Sequence, residues 1–297
     1  MGALLEKYGY CPDTKAIEAK LERIAANLEN AASEKVLKDC FSMMDLTSLR
    51  TEDTRTSISR LVGKVNDLKK NFPGYPYPAS ICVYPDFAGT VRDTRCSDDI
   101  KVTVVAACFP SSQSFLEVKL KECELAVLNG ADEVDIVLAL NSFLDGDRAA
   151  ASYEIMQIRS CINKAAASQG RTVHLKVILE TGLLLDMELI AEASFLAMEA
   201  GADFIKTSTG KVSVNATPAA AFVMCECIAA YYKATGKKVG FKPAGGISTA
   251  MDAVCYYSIV SAVLGKEWLT KDLFRLGVSR LANSILTAVE QKTVSYF

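Results

Sequence analysis

Histidine is almost absent from this sequence: His174 is the single copy among 297 residues. A His-rich zinc site needs several imidazoles, and a Ser-His-Asp triad needs one beside its nucleophile, so neither class of site is expected. Carboxylate-bound Mg²⁺ is not excluded by this count. The chemistry of the protein is therefore expected to rest on other residue types.

Long apolar runs, dense basic runs and C-x-x-C cysteine pairs are also missing. No stretch reaches the roughly 18 apolar residues that a membrane span needs, so we expect no membrane insertion. Lysine and arginine together number 33 against 35 acidic residues, and without a basic patch nucleic acid is not an expected partner. The ten cysteines include no C-x-x-C pair, which predicts buried, reduced thiols in a cytoplasmic protein.

What the chain does contain is an alternation of short apolar or β-branched runs with longer helical patterns. Eight candidate strands follow residue 43: MDLTSL (44–49), SICVYP (80–85), KVTVVAACF (101–109), EVDIVLAL (133–140), HLKVILE (174–180), DFIKTST (203–209), GFKPAGG (240–246) and LFRLGVS (273–279). Apolar residues recur at helical spacing over residues 115–130, 152–167, 186–201, 219–236 and 250–265. Eight strands with helices between them predict an α/β fold, the (β/α)8 TIM barrel.

The same pattern predicts the domain organisation. We expect a single TIM-barrel domain over residues 1–297, with an N-terminal helical extension at 1–43, the barrel at 44–285 and a C-terminal tail at 286–297. An open doubly wound sheet is the alternative. No G-x-G-x-x-G motif follows the first strand, however, so a dinucleotide-binding fold has little support.

Four predicted strands carry a charged residue between apolar neighbours, namely Asp135, Lys176, Lys206 and Lys242. A single lysine in a strand more often extends to solvent or protects a sheet edge. A closed barrel has no edges, and four charges on strands four to seven favour convergence inside it. A buried lysine beside a second cation has a lowered pKa, and its neutral amine can form a Schiff base with a carbonyl compound.

Loops rich in hydrogen-bond donors follow the last three predicted strands. They contain residues 207–211, the Gly245-Gly246 pair and residues 277–279. TIM barrels commonly bind phosphate in the loops after strands seven and eight. Glycine pairs alone are more often tight turns, but three such loops on adjacent strands indicate a phosphate site.

The motifs around these residues resemble those of the deoxyribose-phosphate aldolases, which are Schiff-base enzymes on a TIM barrel. They are GADEVDIV (130–137), KVILETG (176–182), GADFIKTSTGKVSVNATP (201–218) and GFKPAGGI (240–247). The resemblance implies reversible cleavage of 2-deoxyribose 5-phosphate to glyceraldehyde 3-phosphate and acetaldehyde, with no metal or other cofactor. It also implies a homodimer, and it identifies no protein partner.

The resemblance assigns roles to individual positions. Lys206 is similar to the Schiff-base lysine, Lys242 to the second lysine that lowers the pKa of the first, and Asp135 to the proton-relay acid. The implied substrate-binding set is Asp45, Thr47, Lys176, Thr209, Lys211, Gly245, Gly246, Ser248, Gly277 and Ser279.

Four features depart from the pattern of the family. Ser248 stands where arginine is usual, which removes a cationic contact to phosphate. Arg280 follows Ser279 where a small or hydroxyl residue is usual, and it either replaces that charge or crowds the site. The segment FPSS (109–112) ends in serine where glycine is common, so its loop is expected to be stiffer. Many relatives end in a tyrosine that assists proton transfer, and Tyr296 is the candidate here.

Two other functions stay open at this point. The altered phosphate loops, the changed tail and the N-terminal extension are also compatible with an aldolase-like protein of little activity that binds another protein. An aldolase acting on a different aldehyde pair is the third reading.

Overall fold

The computed structural model describes residues 2–184 and 186–297, and its parallel strands form a barrel. The strands are β1 (Met44–Thr47), β2 (Ser80–Val83), β3 (Lys101–Val105), β4 (Glu133–Val137), β5 (His174–Ile178), β6 (Phe204–Lys206), β7 (Gly240–Lys242) and β8 (Leu276–Val278). Hydrogen bonding follows the order β7-β6-β5-β4-β3-β2-β1-β8. Bridges between Phe241 and Phe274 and between Ala244 and Gly277 join the two ends of the sheet. The predicted TIM barrel is confirmed.

Helices lie around this barrel and before it. They are α1 (Ala3–Tyr8), α2 (Thr14–Ala26), α3 (Leu28–Ala31), α4 (Glu34–Ser42), α5 (Arg55–Asn66), α6 (Leu68–Asn71), α7 (Ala88–Thr94), α8 (Leu116–Leu128), α9 (Leu140–Leu144), α10 (Arg148–Ala167), α11 (Met187–Glu199), α12 (Pro218–Thr235), α13 (Ala250–Val263) and α14 (Leu281–Glu290). Each of the five segments with predicted helical spacing overlaps one of them, and α10 and α12 begin before the predicted segment. In the described ranges no helix is long and apolar enough to cross a membrane.

Every predicted strand contains an observed one, but the observed strands are shorter. One example is β6, predicted over residues 203–209 and observed over Phe204–Lys206. Thr207 is the reason, because its hydroxyl accepts a hydrogen bond from the Ala244 amide at 2.9 Å and lies 3.2 Å from the Ala244 carbonyl oxygen. This side-chain contact replaces continued strand pairing, and the chain turns into the loop that covers the mouth of the barrel.

The N-terminal segment packs against helices on one side of the barrel. Tyr8 stacks on Phe195 of α11 with ring centroids 4.4 Å apart, and its hydroxyl donates to Glu199 at 2.7 Å. Tyr10 donates to Glu226 of α12 at 2.9 Å. These aromatic and polar contacts hold α1 and the start of α2 against the helix layer. At the other end of the chain, α14 runs to Glu290, beyond the predicted barrel boundary at 285.

Alternation along the strands separates an apolar layer from a charged interior. In β4, Val134 and Ile136 are fully buried among apolar side chains. Asp135 lies between them in sequence and is equally buried, so it points to the opposite face, the inside of the barrel. Burial of the apolar face against the helices stabilises the fold, and the inward face is left for the polar residues described below.

All ten cysteines are free thiols, as predicted. Burial was expected for them too, and this is wrong for Cys11 and Cys96, which are exposed. Cys11 follows α1 in a connecting segment and Cys96 follows α7, so neither faces the apolar layer. The fully buried ones are Cys40, Cys82, Cys123, Cys225 and Cys227.

Candidate active site

Seven charged side chains meet inside the barrel, and none is more than 4% exposed. We call them the interior cluster: Asp45, Glu133, Asp135, Lys176, Lys206, Lys242 and Arg275. The structure thus brings together the four strand charges predicted to converge, and adds three more. Charges buried this deeply are stable only when they are paired and hydrogen-bonded.

Asp135 is the centre of the cluster near the carboxyl ends of the strands. Its Oδ2 accepts hydrogen bonds from Lys206 Nζ at 2.8 Å and from Lys242 Nζ at 2.7 Å. Its other oxygen, Oδ1, lies 3.3 Å from Lys176 Nζ. One carboxylate therefore links all three predicted strand lysines. The two lysines on Oδ2 are the last residues of β6 and β7 and are paired in register, which places both amines beside the same oxygen.

Asp45 of β1 pairs with two of these lysines, Lys242 and Lys176. Its Oδ2 lies 2.5 Å from Lys242 Nζ and 3.4 Å from Lys176 Nζ. Its Oδ1 accepts from Arg275 at 2.6 Å and from the Ser80 hydroxyl at 2.7 Å. Thr47, two residues further along β1, is half-buried and donates to the Asp45 carbonyl at 2.8 Å.

The pKa values of the lysines diverge. Burial is the main cause that lowers the pKa of Lys206, and the charge of Lys242 lowers it further, against the opposing effect of Asp135. Burial also tends to lower the pKa of Lys242, but the charges of Asp135 and Asp45 outweigh burial and raise the pKa of this lysine. For Lys176, burial is likewise outweighed, by Asp135, Asp45 and Glu133, and the pKa is raised. Lys206 is therefore the lysine that most readily provides a neutral, nucleophilic amine.

The carboxylates stay ionised. Burial alone would raise the pKa of Asp135, but Lys176, Lys206 and Lys242 outweigh it and hold that pKa well below its usual range. The pKa of Asp45 is lowered in the same way, because Lys176, Lys242 and Arg275 outweigh its burial. A carboxylate shared by two amines can pass a proton between them or to a nearby water.

Sequence reasoning missed two members of the cluster, Glu133 and Arg275. Arg275 donates to Glu133 through both terminal nitrogens, at 2.6 and 2.9 Å. Hydroxyls support the pair, because Thr103 Oγ1 lies 2.7 Å from Glu133 and 2.8 Å from the Ser80 hydroxyl. The signal was present: Glu133 is two residues before Asp135, on the same face of β4, and Arg275 stands between apolar residues as the three lysines do.

Two predicted binding residues lie in the loop after β6. Thr209 is buried, and its amide and hydroxyl donate to Glu180 at 3.0 and 2.5 Å. Lys211 is exposed, and its Nζ donates to the Leu49 carbonyl, after β1, at 2.7 Å. The lysine therefore reaches across the mouth of the barrel from β6 to β1.

Residues 210–215, which we call the mouth segment, cover the barrel opening. A Cβ added to Gly182, in the loop after β5, would lie 2.0 Å from the Val214 carbonyl oxygen. A Cβ added to Gly245 would lie 2.6 Å from the Asn215 side chain. The segment thus packs directly on the backbone of two neighbouring loops. Lys206, beneath it, is 4% exposed.

The predicted phosphate loops lie side by side. The bridge between Ala244 and Gly277 brings the loops after β7 and β8 together. Gly245 and Gly246 both have φ near +80°, a conformation that favours glycine. Ser279 and Arg280 are exposed at the start of α14, where the Arg280 side chain makes no capping hydrogen bond.

Ser248 is placed differently from the other predicted contacts. Its amide and that of Thr249 donate to the Asp252 carboxylate, at 3.0 and 2.8 Å, as part of the cap of α13. These amides already have an acceptor, and a carboxylate occupies the position at the helix start that an anion would take. The first turn of α14 is more open, and a helix start of that kind binds anions well.

Tyr296 is not brought together with the lysines. Its hydroxyl donates to the Lys64 carbonyl at 2.7 Å and accepts from Asn71 at 3.0 Å, so it lies against α5 and α6 on the outside of the barrel. The Asn283 side chain holds the tail in place by accepting from the Tyr296 amide at 2.8 Å and the Phe297 amide at 2.9 Å.

Ser112 explains how the FPSS loop is accommodated. Its φ of 55° lies in the left-handed region that glycine adopts without strain, so the serine keeps a backbone conformation suited to glycine. The Lys119 ammonium donates to its hydroxyl at 3.0 Å. Lys119 also pairs with Glu154 at 2.7 Å and is itself 2% exposed, so it is a buried lysine in an ion pair outside the interior cluster.

The polar groups of the site do not form a metal centre. In residues 2–184 and 186–297, no group of three or more His, Cys, Asp or Glu side chains is arranged to hold a metal ion. The three carboxylates of the interior cluster are each paired with lysine or arginine instead.

Comparison with known proteins gives a consistent result. Residues 41–260 match the DeoC/LacD family aldolases. The chain is 42% identical to the deoxyribose-phosphate aldolase of Mus musculus and 41% identical to that of Homo sapiens, in both cases over 82% of this chain and 77% of the relative. A tetrameric deoxyribose phosphate aldolase from Aeropyrum pernix shares the fold, with a TM-score of 0.64 and 24% identity over 93% of this chain and 98% of that one. This chain therefore belongs to the DeoC/LacD family of aldolases.

Proposed function

We propose that the protein is a class I aldolase that reversibly cleaves 2-deoxyribose 5-phosphate to glyceraldehyde 3-phosphate and acetaldehyde. The observation that carries the proposal is the position of Lys206, a buried amine with a lowered pKa that shares one oxygen of Asp135 with Lys242. Such an amine is a nucleophile toward the aldehyde carbon of an open-chain sugar. The complete set of two lysines and an acid supports catalysis over a purely binding role.

Each step of the reaction has a group suited to it. The Lys206 amine adds to the aldehyde, and loss of water from the adduct gives an iminium ion. Removal of the proton from the C3 hydroxyl then breaks the C2–C3 bond, which releases glyceraldehyde 3-phosphate and leaves an enamine. Protonation at C2 and addition of water release acetaldehyde and restore the amine. Asp135 is the proposed relay for these protons, with Lys242 as the permanent cation beside it.

The phosphate is proposed to bind at the loops after β7 and β8. Gly245, Gly246 and Gly277 are proposed to line this site; Gly246 has open space at its Cβ position, and the first turn of α14 provides amides beside Ser279. Thr209 and Lys211 are proposed to contact the sugar hydroxyl and phosphate once the mouth segment has rearranged. Thr47 and Lys176 complete the proposed lining, and Ser248 is its weakest member because Asp252 occupies its amide.

Arg280 is proposed to supply the phosphate charge that Ser248 lacks. Changing it to alanine is expected to raise KM for 2-deoxyribose 5-phosphate about tenfold, because an exposed charge-assisted hydrogen bond is lost, and to leave KM for unphosphorylated deoxyribose nearly unchanged. Steady-state kinetics on both sugars measures this. Arg60→Ala on α5 is the control, with the same loss of charge at another exposed arginine. Equal effects on the two sugars would refute a phosphate role.

Borohydride trapping tests the Schiff base directly. The folded protein is incubated with acetaldehyde, reduced, digested and mapped by mass spectrometry, and the adduct is expected on Lys206. Lys237→Met, which removes an exposed lysine, controls for nonspecific labelling and should leave that adduct unchanged. A folded protein that gives no adduct, or one on Lys176 or Lys242 alone, would contradict the proposed role of Lys206.

The remaining expectations concern organisation. We propose one domain, with the N-terminal helices as an extension packed on the barrel, a cytoplasmic location and a homodimer as the assembly. The aromatic contacts of α1 with α11 support the first of these. Sedimentation of the purified chain tests the assembly.

A further inference from the structure

The interior cluster extends from the catalytic end of the barrel to its opposite end. Lys206 and Lys242 are the last residues of their strands, whereas Glu133 is the first residue of β4 and Arg275 precedes β8. Asp45 joins the two ends, with Lys242 at 2.5 Å on one oxygen and Arg275 at 2.6 Å on the other. Only Asp45 therefore lies between Arg275 and Lys242, the cation beside the reactive lysine.

A second series of ion pairs runs through Lys176. Its ammonium donates to Glu133, and it lies 3.3 Å from Asp135, the carboxylate that binds Lys206. Glu133 is thus also connected to the reactive lysine, through Lys176 and then Asp135. All of these side chains are buried, so water screens their charges weakly.

The charges of the cluster do not cancel when every group is ionised. There are three carboxylates and four cations, and the net charge of the cluster becomes zero when one cation gives up its proton. Among the four, Lys206 is held by a single carboxylate, whereas each of the other three is paired with two or more. Deprotonation of Lys206 therefore brings the net charge of the cluster to zero and breaks only one ion pair. Deprotonation of any other cation of the cluster would break two or more.

We propose that Arg275 and Glu133 are positioning residues that set how readily the Lys206 ammonium releases its proton, by fixing the net charge of the interior cluster from its far end. Neither touches the reacting atoms. Removing the negative charge of Glu133 leaves an excess of cations, which favours the neutral amine. Removing the positive charge of Arg275 leaves three cations for three carboxylates, which keeps Lys206 protonated. This inference rests on the proposed function, in which a neutral Lys206 is required.

Other titratable and charged groups lie near Lys206, Glu133 and Arg275. Cys82 is the remaining titratable neighbour of Lys206. At the far end, His174 Nδ1 lies 3.9 Å from Glu133 Oε1. A cavity of about 200 Å³ opens beside Glu133 and Arg275, and its other charged lining residues are Lys101, Asp132, Lys271 and Asp272. His174 is about half exposed, so its ionisation is screened and is expected to act weakly on the buried pair.

The test measures the protonation of Lys206 without requiring turnover. Protein with ¹³C- and ¹⁵N-labelled lysine is titrated by NMR, and the Lys206 side-chain signal is assigned from its loss in Lys206→Leu. Relative to wild type, Glu133→Gln is expected to lower the Lys206 midpoint by roughly one pH unit, and Arg275→Met to raise it by a similar amount. Glu133→Gln with Arg275→Met restores the net charge, so its midpoint should return toward wild type. Arg275→Lys keeps the charge and should titrate as wild type does.

The outcomes are distinguishable from simple damage to the fold. A structural role alone would lower the melting temperature of the variants without moving the Lys206 midpoint. If Arg275→Met does not fold, the isosteric Glu133→Gln decides the matter, and an unchanged midpoint there overturns the proposal. The acidic limb of the pH profile of kcat/KM should shift in the same direction as the NMR midpoint. Absence of turnover in wild type would refute the proposed function while leaving the NMR result interpretable.

Discussion

Replacing Lys206 with leucine is expected to reduce kcat/KM for 2-deoxyribose 5-phosphate by roughly 10⁴-fold or more, the scale seen when a covalent nucleophile is removed. Leucine occupies a similar volume but cannot form the iminium ion, and no other lysine can take its place. Lys242 and Lys176 are each bound to two or more carboxylates that keep their ammonium groups charged. The loss should therefore appear at every pH, and high pH should not restore activity.

The fold should survive this change. Asp135 Oδ2 keeps its hydrogen bond from Lys242 at 2.7 Å, so the buried carboxylate is not left unpaired. Removal of the Lys206 charge also leaves three cations for the three carboxylates of the cluster. Thermal unfolding and circular dichroism check this point. A folded Lys206→Leu protein that retained more than about 1% of wild-type turnover would exclude Lys206 as the nucleophile.

Replacing Lys242 with methionine is expected to have the second largest effect, and its signature is a shift in pH dependence. Without Lys242, Asp135 and Asp45 lose a partner, and the unbalanced carboxylates raise the pKa of Lys206. The neutral amine then becomes scarce at pH 7, and we expect kcat/KM to fall there by about 10²- to 10³-fold. Because deprotonation of Lys206 restores the nucleophile, the loss should shrink as the pH is raised. Kinetics from pH 6 to pH 10 measures both effects.

Lys119→Met provides a matched control for that experiment. Lys119 is also a buried lysine in an ion pair, with Glu154 at 2.7 Å, but it lies on α8 outside the barrel interior. Its loss should lower stability, since the partly buried Glu154 carboxylate loses its cation and keeps only the Ser112 hydroxyl at 3.3 Å, and leave the pH profile of activity unchanged. If Lys242→Met and wild type gave superimposable pH profiles, the proposed electrostatic role of Lys242 would be wrong.

The barrel and its lysines were predictable because both depend on local pattern. Eight short apolar runs separated by helical spacing indicate the fold, and the position of a lysine between apolar neighbours indicates an inward face. Glu133 and Arg275 were harder to recognise, because each lies at the amino end of its strand. Charged residues at strand ends are usually solvated, and only the closed barrel places these two side chains beside each other.

The tail and the mouth of the barrel could not be predicted from such patterns. The position of Tyr296 depends on the path of the last residues and on contacts with Lys64, Asn71 and Asn283, which are distant in sequence. The contact of Lys211 with Leu49 likewise joins residues from opposite sides of the barrel. The resemblance to the family predicts which residues bind substrate, but the resting position of a loop is set by such long-range contacts.

The mouth segment has a consequence for the timing of catalysis. Residues 210–215 pack on the loops after β5 and β7, and Lys206 is 4% exposed. We therefore expect each catalytic cycle to include one displacement of the segment to admit the substrate and another to release the products. Loop motions of this kind occur in microseconds to milliseconds. Their frequency is an upper limit on kcat, and any acceleration of the lysine chemistry beyond that limit would leave the turnover rate unchanged.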